Sequence, residues 1–242
     1  MTTTPTKIAL ITGANRGIGL ETARELGEKG IHVVLGSRDL EKGKKAAARL
    51  AEKGIESDVV KLDITSPADR QAVHDFLEKR YGRLDILVNN AAINIPDGTC
   101  SVSEPDLRAI FDANFFPVVA LTQVLLPLLK KAPEGRIVNV SSVMASLSMH
   151  ADPKSRIYPF KAFAYGASKS ALNAYTIHLA YELRDTKIKV NSADPGWVKT
   201  DMGGPNAPME LSEGGKTSVY LATLPEDGPT SGFYLGEQPL PW

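Results

Sequence analysis

The sequence of 242 residues has a single cysteine, Cys100, so it can form no internal disulfide and no cysteine cluster for zinc. It has no surplus of either charge, with 28 Lys and Arg against 28 Asp and Glu. No global field therefore draws it to nucleic acid or to an acidic surface. No apolar run approaches the length of a membrane span. The opening residues Met1-Thr2-Thr3-Thr4-Pro5 lack the basic and apolar regions of a secretory signal. Internal repeats, low-complexity stretches and linkers are missing too. These absences describe a cytoplasmic protein with no nucleic-acid or membrane partner and no metal. The length suits one α/β domain over 1–242 that can bury a sizeable core.

What the chain does have is alternation of short apolar runs with helical patterns. Ile8–Ile11 reads as a buried strand running into Thr12-Gly13-Ala14-Asn15-Arg16-Gly17-Ile18-Gly19, and a helix follows through Leu20, Ala23 and Leu26. Strand, glycine-rich turn and helix are the context of a dinucleotide motif. The glycines let the backbone approach a pyrophosphate, which sits at the positive end of the helix. Further strands are expected at 32–36, 58–64, 84–88, 137–140, 188–193 and 232–235. The pattern predicts a doubly wound parallel sheet, a Rossmann fold, with helices on both faces. Asp39 is placed to cap a helix over 40–53, and Ser66-Pro67 to open the next one. A long apolar helical pattern runs from Ile110 to Leu128 and contains Asn114.

The end of the second strand should lie by the adenosine ribose. An acidic residue there would bind a free 2′-hydroxyl, but position 37 is Ser37, and Arg16 and Arg38 can both approach. Paired guanidinium donors suit a phosphate, so NADP(H) is favoured over NAD(H). Asp63 at the third strand end, beside Ile64, could touch the adenine or equally stabilise its own turn. The amides of Asn89 and Asn90, followed by Ala91 and Ala92, can tie neighbouring strands together and line the cleft.

The chemistry centres on Arg136–Lys169. A β-branched strand ends in Ser141-Ser142, and Tyr165-Gly166-Ala167-Ser168-Lys169 follows. Four helical residues make about 1.1 turns and rise about 6 Å, so Tyr165 and Lys169 share a face. A phenol is a poor acid or base at neutral pH, and a neighbouring ammonium is expected to lower its pKa. A hydroxyl such as Ser142 could hold a substrate oxygen beside it, which outlines a carbonyl/alcohol acid–base site. An ordinary helix surface pair has the same spacing, so the motif gains meaning only with the rest of the chain. Pro195-Gly196 turns the chain at the edge of the sheet where ligands of such folds bind.

With these residues in order, the chain resembles the short-chain dehydrogenases/reductases over nearly its whole length. The matches are Thr12-Gly13-x-x-x-Gly17-x-Gly19, Asp63, Asn89-Asn90-Ala91, Asn114, Ser142, Tyr165-x-x-x-Lys169 and Pro195-Gly196. Ala92 stands where the family usually has glycine. Within the family it looks most like the carbonyl reductases, through Asn114-Phe115-Phe116, Val138–Ser142, Pro195–Met202 and a terminal tryptophan. The resemblance implies a catalytic set of Asn114, Ser142, Tyr165 and Lys169. It also implies a cofactor set of Gly13, Asn15, Arg16, Gly17, Ile18, Gly19, Ser37, Arg38, Asp63, Ile64, Asn90, Ala91, Tyr165, Lys169, Pro195, Gly196, Val198 and Thr200.

In that reading NADPH reduces a small ketone or aldehyde, Tyr165 protonates the oxygen, and Ser142, Tyr165 and Trp197 bind the substrate. Lys169 lowers the phenol pKa and Asn114 holds a water. NADP+-dependent oxidation of a secondary alcohol uses the same residues in reverse. A non-catalytic dinucleotide-binding regulator is the alternative from another class. The pocket walls would include Ile93, Ile95, Met144, Met202 and Met209. A segment over 149–163, longer than relatives carry before the Tyr/Lys helix, is expected to fold over the helix faces that commonly pair. Its aromatics would cover apolar surface and leave a monomer rather than a homodimer or homotetramer. A solvent-exposed lid is the other placement.

Overall fold

A computed structural model describes residues 6–96, 98–99 and 101–242. Met1–Pro5 and Cys100 lie outside the described residues. Along the first half of the chain, strands β1 (Ile8–Thr12), β2 (His32–Ser37), β3 (Ser57–Lys61) and β4 (Ile86–Asn89) alternate with helices α1 (Gly17–Glu28), α2 (Leu40–Ala51) and α3 (Pro67–Tyr81). Then come α4 (Glu104–Asn114), α5 (Phe116–Leu129), β5 (Arg136–Val140), α6 (Leu147–Ala151), α7 (Phe163–Glu182) and β6 (Lys189–Asp194). A short α8 (Lys216–Ala222), β7 (Phe233–Leu235) and β8 (Gln238–Pro239) follow.

The strands form one sheet in the order β3-β2-β1-β4-β5-β6-β7-β8, parallel except for the β7–β8 pair. Successive strand residues face opposite sides. Leu10, Leu87, Ile137 and Val190 pack with α3, α5 and α7 on one side. Ala9, Ile11, Val88 and Val138 pack with α1, α2 and α8 on the other. Both faces are buried, which is why the strands read as unbroken apolar runs. The chain builds outward from β1 to β3, then returns to place β4 on the other side of β1. Ligands of open sheets bind at that reversal, outside the carboxyl ends of the strands.

Several elements start where their sequence signals stand. Asp39 accepts from the Lys42 N–H at 3.1 Å, and Ser66 from the Asp69 N–H at 3.2 Å with Pro67 next to it. Strand β3 is shorter than expected and stops at Lys61, because Asp63 turns the chain by accepting from the Thr65 N–H at 3.0 Å. The apolar pattern from Ile110 to Leu128 is two helices, broken at Phe115 (φ −123°, ψ −67°) ahead of Pro117. The stretch Glu104–Leu129 is in fact long and apolar enough to reach a membrane-spanning length, contrary to the expectation from sequence. Here it is bent, and Leu121, Leu125, Leu128 and Leu129 are buried against the sheet.

A buried polar chain crosses the middle of the sheet. Asn89 on β4 donates to Asn139 on β5 at 2.9 Å and to Thr122 at 3.1 Å. Asn139 donates to Thr176 on α7 at 2.8 Å, and Ser192 on β6 donates to the same hydroxyl at 2.9 Å.

Candidate active site

The end of β5 and helices α4 and α7 bring the reactive side chains together. Beyond β5, Ser142 opens a short 3₁₀ turn over Val143–Ala145 and accepts from the Met144 N–H at 3.2 Å. Helix α7 places Tyr165 in its first turn and Lys169 one turn on. The Ser142 hydroxyl is hydrogen-bonded to the Tyr165 phenol. The Lys169 Nζ lies 5.7 Å from the centre of the Tyr165 ring and donates to the Val140 carbonyl at 2.8 Å. Asn114, fully buried at the end of α4, accepts from the Ile93 N–H at 2.8 Å. Its amide nitrogen donates to the Ile93 carbonyl at 2.9 Å and to Ser168 at 3.2 Å. It therefore ties the loop after β4 to the Tyr/Lys helix.

The electrostatics of the pair run against the expectation from spacing. Burial pushes the Tyr165 phenol up to about 12, with Asp194 adding to the rise and Ser142 opposing it. Burial also brings Lys169 down to about 8. Desolvation disfavours both charged forms. The net shift of the phenol is upward, so at neutral pH Tyr165 holds its proton.

Behind this pair lies the turn between β1 and α1. Thr12, almost wholly buried, accepts from the backbone N–H groups of Asn90 and Ala91, both at 2.9 Å. The Asn90 amide donates to the Thr12 carbonyl at 2.8 Å. Gly13 has φ +65°, in the region that favours glycine. A Cβ on Gly19 would stand 2.5 Å from the Asn90 amide and 2.7 Å from the Gly13 carbonyl. Of Pro195, Gly196, Val198 and Thr200, Thr200 reaches this turn, where a Cβ on Gly17 would meet it at 3.8 Å, while Gly196 packs on Met209 and Leu235.

The family model for short chain dehydrogenases matches residues 7–211. The chain belongs to that family. Within it the chain lies close to the carbonyl reductases: it is 35% identical to carbonyl reductase (NADPH) 1 of Mus musculus, over 97% of this chain and 98% of that one. An NADPH-bound carbonyl reductase from chicken fatty liver superposes with a TM-score of 0.86 at 28% identity, covering 98% of this chain and 99% of that one. Salutaridine reductase from Papaver somniferum gives 0.81 at 31% identity, over 94% and 99%.

As in a short-chain dehydrogenase with a dinucleotide, the turn can take a pyrophosphate. Helix α1 has no side-chain cap and no acidic residue in its first turn, so its leading N–H groups face the cleft unsatisfied by side chains. Asn15 and Ile18 lie within the turn, and Ile18 packs on Gly214. The Ser37 side chain is buried and donates to the Asp39 carbonyl at 2.6 Å. Arg38 is exposed and close enough to help hold the Asp63 carboxyl below its ordinary value, after the Thr65 hydroxyl, which acts most. Arg16 pairs with Asp201, both largely exposed, a contact worth no more than about 1 kcal/mol and readily exchanged for a phosphate. Ile64 is buried and its carbonyl accepts from Arg70 at 2.6 Å.

Of the expected pocket walls, Ile93, Trp197 and Met202 are exposed. Trp197 donates to the Gly203 carbonyl at 2.8 Å, while Met209 packs its sulfur on Gly196 and bridges to Val198. The aromatics of 149–163 do not cover apolar surface: Tyr158, Phe160 and Phe163 are exposed and only Ile157 is buried. Local turns hold the segment, with the Lys154 N–H on Asp152 at 2.9 Å and the Phe160 N–H on the Ile157 carbonyl at 2.9 Å. The Lys161 ammonium lies 4.7 Å from the Tyr158 ring centre, which leaves that ring at the surface. Sequence reasoning quoted Thr12 in the glycine motif but not its hold on the Asn90 and Ala91 backbone, and gave buried Asp194 no part. The sign for Asp194 was its place immediately before Pro195-Gly196, where a strand end meets the ligand edge.

Proposed function

We propose that this chain, acting as one domain over 1–242, reduces the carbonyl of a small ketone or aldehyde with NADPH. The observation that carries the reading is Tyr165 hydrogen-bonded to Ser142, with the Lys169 Nζ 5.7 Å from its ring centre, beyond the end of β5. The close relation to carbonyl reductases supports the substrate class and the cofactor. Bound NADPH supplies the hydride. The uncapped start of α1, with Gly13, Gly17 and Gly19, would hold the pyrophosphate, and Arg38 with Arg16 the 2′-phosphate.

Ser142 donates to the substrate oxygen and stabilises charge gathering there. Tyr165 gives its proton to that oxygen as its basicity rises. The phenolate left behind is stabilised by the adjacent Lys169 cation. Trp197, beside the Pro-Gly turn, offers an apolar wall for the rest of the substrate. Asn114 keeps the Ile93 loop and α7 in fixed relation. The protein works in the cytoplasm as a monomer, since the exposed Phe116, Ile177 and Tyr181 are interspersed with Asp112, Gln123, His178 and Glu182.

Tyr165→Phe should lose nearly all kcat on a panel of aromatic and aliphatic carbonyls. NADPH binding, followed by cofactor fluorescence, should be retained. Near-wild-type turnover in that variant removes Tyr165 as the proton donor.

A further inference from the structure

Two loops at the dinucleotide cleft meet in one ion pair. Arg16 belongs to the glycine turn between β1 and α1, and Asp201 to the loop that follows the Pro195-Gly196 turn. The Arg16 guanidinium donates to the Asp201 carboxylate across 185 positions of sequence. Thr200 brings the loop to the turn at this point, since a Cβ on Gly17 would meet its methyl at 3.8 Å.

The pair is not what holds the loop. Trp197 donates its ring N–H to the Gly203 carbonyl at 2.8 Å, and the Gly203 N–H donates to the Thr200 hydroxyl at 3.0 Å. The Lys199 N–H reaches the Met209 carbonyl at 2.9 Å, and the Gly204 N–H the Thr200 carbonyl at 2.8 Å. With these fastenings the loop keeps its course without Asp201; what the ion pair holds is the guanidinium. Lys199 is the one cation in the sequence over 195–204, and it is already paired with Glu210.

We propose that Asp201 is a positioning residue for cofactor choice: it competes with the 2′-phosphate of NADPH for Arg16, and so holds back NADPH without acting on NADH. The inference rests on the assignment of Arg16 to that phosphate. A phosphate received by Arg16 would sit against the Asp201 carboxylate, and two anions repel, so the guanidinium exchanges one for the other. Breaking the pair is a cost that NADH, with a hydroxyl in place of the phosphate, does not meet. NADP+ carries the same phosphate and meets the same competition. The cost is modest, because the two side chains are 73% and 77% exposed.

Fluorescence titration with NADPH and with NADH reads the competition directly, on wild type, Asp201→Asn, Arg16→Ala and the double variant. Asp201→Asn keeps the size of the side chain and removes its charge. It should tighten NADPH about two- to fivefold, the range that an exposed ion pair can supply, and leave NADH unchanged. In the Arg16→Ala background the same substitution should change neither affinity, because there is no pair left to break. A residue that merely shaped the loop would move both cofactors together.

An Asp201→Asn protein with unchanged or weaker NADPH binding, equal gains for NADPH and NADH, or a gain that persists without Arg16 overturns the role of Asp201. Arg16→Ala on its own should weaken NADPH and spare NADH. If it leaves NADPH at wild-type strength, the assignment of Arg16 to the phosphate falls, and the competition falls with it.

Discussion

Lys169 is a cation held where cations are unwelcome. Its pKa falls from the ordinary 10.5 to about 8 on burial, a cost of about 3 kcal/mol to the folded state while it is charged. Because the folded value lies below the unfolded one, the cost is fully present below about pH 8. It is relieved as pH rises from there toward 10.5. Lys169→Met should therefore abolish turnover yet raise stability at neutral pH by about 2 kcal/mol. The lost bond to Val140 offsets about 1 kcal/mol of the gain. Urea unfolding of both proteins between pH 6 and 10 should show the advantage shrinking above pH 8; a constant difference would mean that burial does not shift this lysine.

Arg38 carries the other prediction at this scale. Arg38→Ala should raise KM for NADPH far more than for NADH, and equal effects in steady-state kinetics would take Arg38 away from the 2′-phosphate. Both residues were named from the sequence, through the Tyr-x-x-x-Lys spacing and the end of β2. The direction of the phenol shift was not, because the i, i+4 spacing shows the lysine but not the depth to which β5, β6 and the 3₁₀ turn bury the pair.

Between elements, capped starts were easier to read than breaks. Asp39 and Ser66 announce α2 and α3 through local hydrogen bonds that depend only on nearby residues. The break between α4 and α5 was hidden, since the apolar period continues through Phe115 and only the backbone departs from helical values. That break sets Asn114 at a helix end, where its amide satisfies both backbone groups of Ile93. Asn114→Ala leaves these part-buried groups without their side-chain partner, a loss of about 1 kcal/mol for each bond. The thermal midpoint should fall, and hydrogen exchange at the Ile93 N–H should quicken more than at β1. Unchanged exchange at Ile93 would show that the loop is held by something other than this side chain.

For the whole molecule, the doubly wound parallel sheet with helices on both faces follows from the alternation of strand and helix patterns, while the course of residues 149–163 does not. Asp152, Ser155 and the carbonyl of Ile157 bend that segment through contacts within itself, so its aromatics end at the surface although their hydrophobicity suggests a covering role. Light scattering at micromolar concentration should give the mass of one 26.0 kDa chain. A stable mass of two or four chains would show that the outer faces of α5 and α7 pair despite their interspersed polar residues.

The polar chain from Asn89 through Asn139 and Thr176 to Ser192 bears on how such a sheet reaches its final form. Parallel apolar strands of similar composition can pair out of step, and a slip of one residue turns every side chain to the opposite face. A β5 displaced in this way would carry the Asn139 amide away from Asn89 and Thr176, into the aliphatic layer formed by α1, α2 and α8. Each amide stranded there costs about 1–3 kcal/mol, against a total stability of about 5–15 kcal/mol for an ordinary domain. Hydrophobic attraction brings these strands together without choosing among alignments; the amides and hydroxyls act as a proofreading mark that lets only one alignment persist.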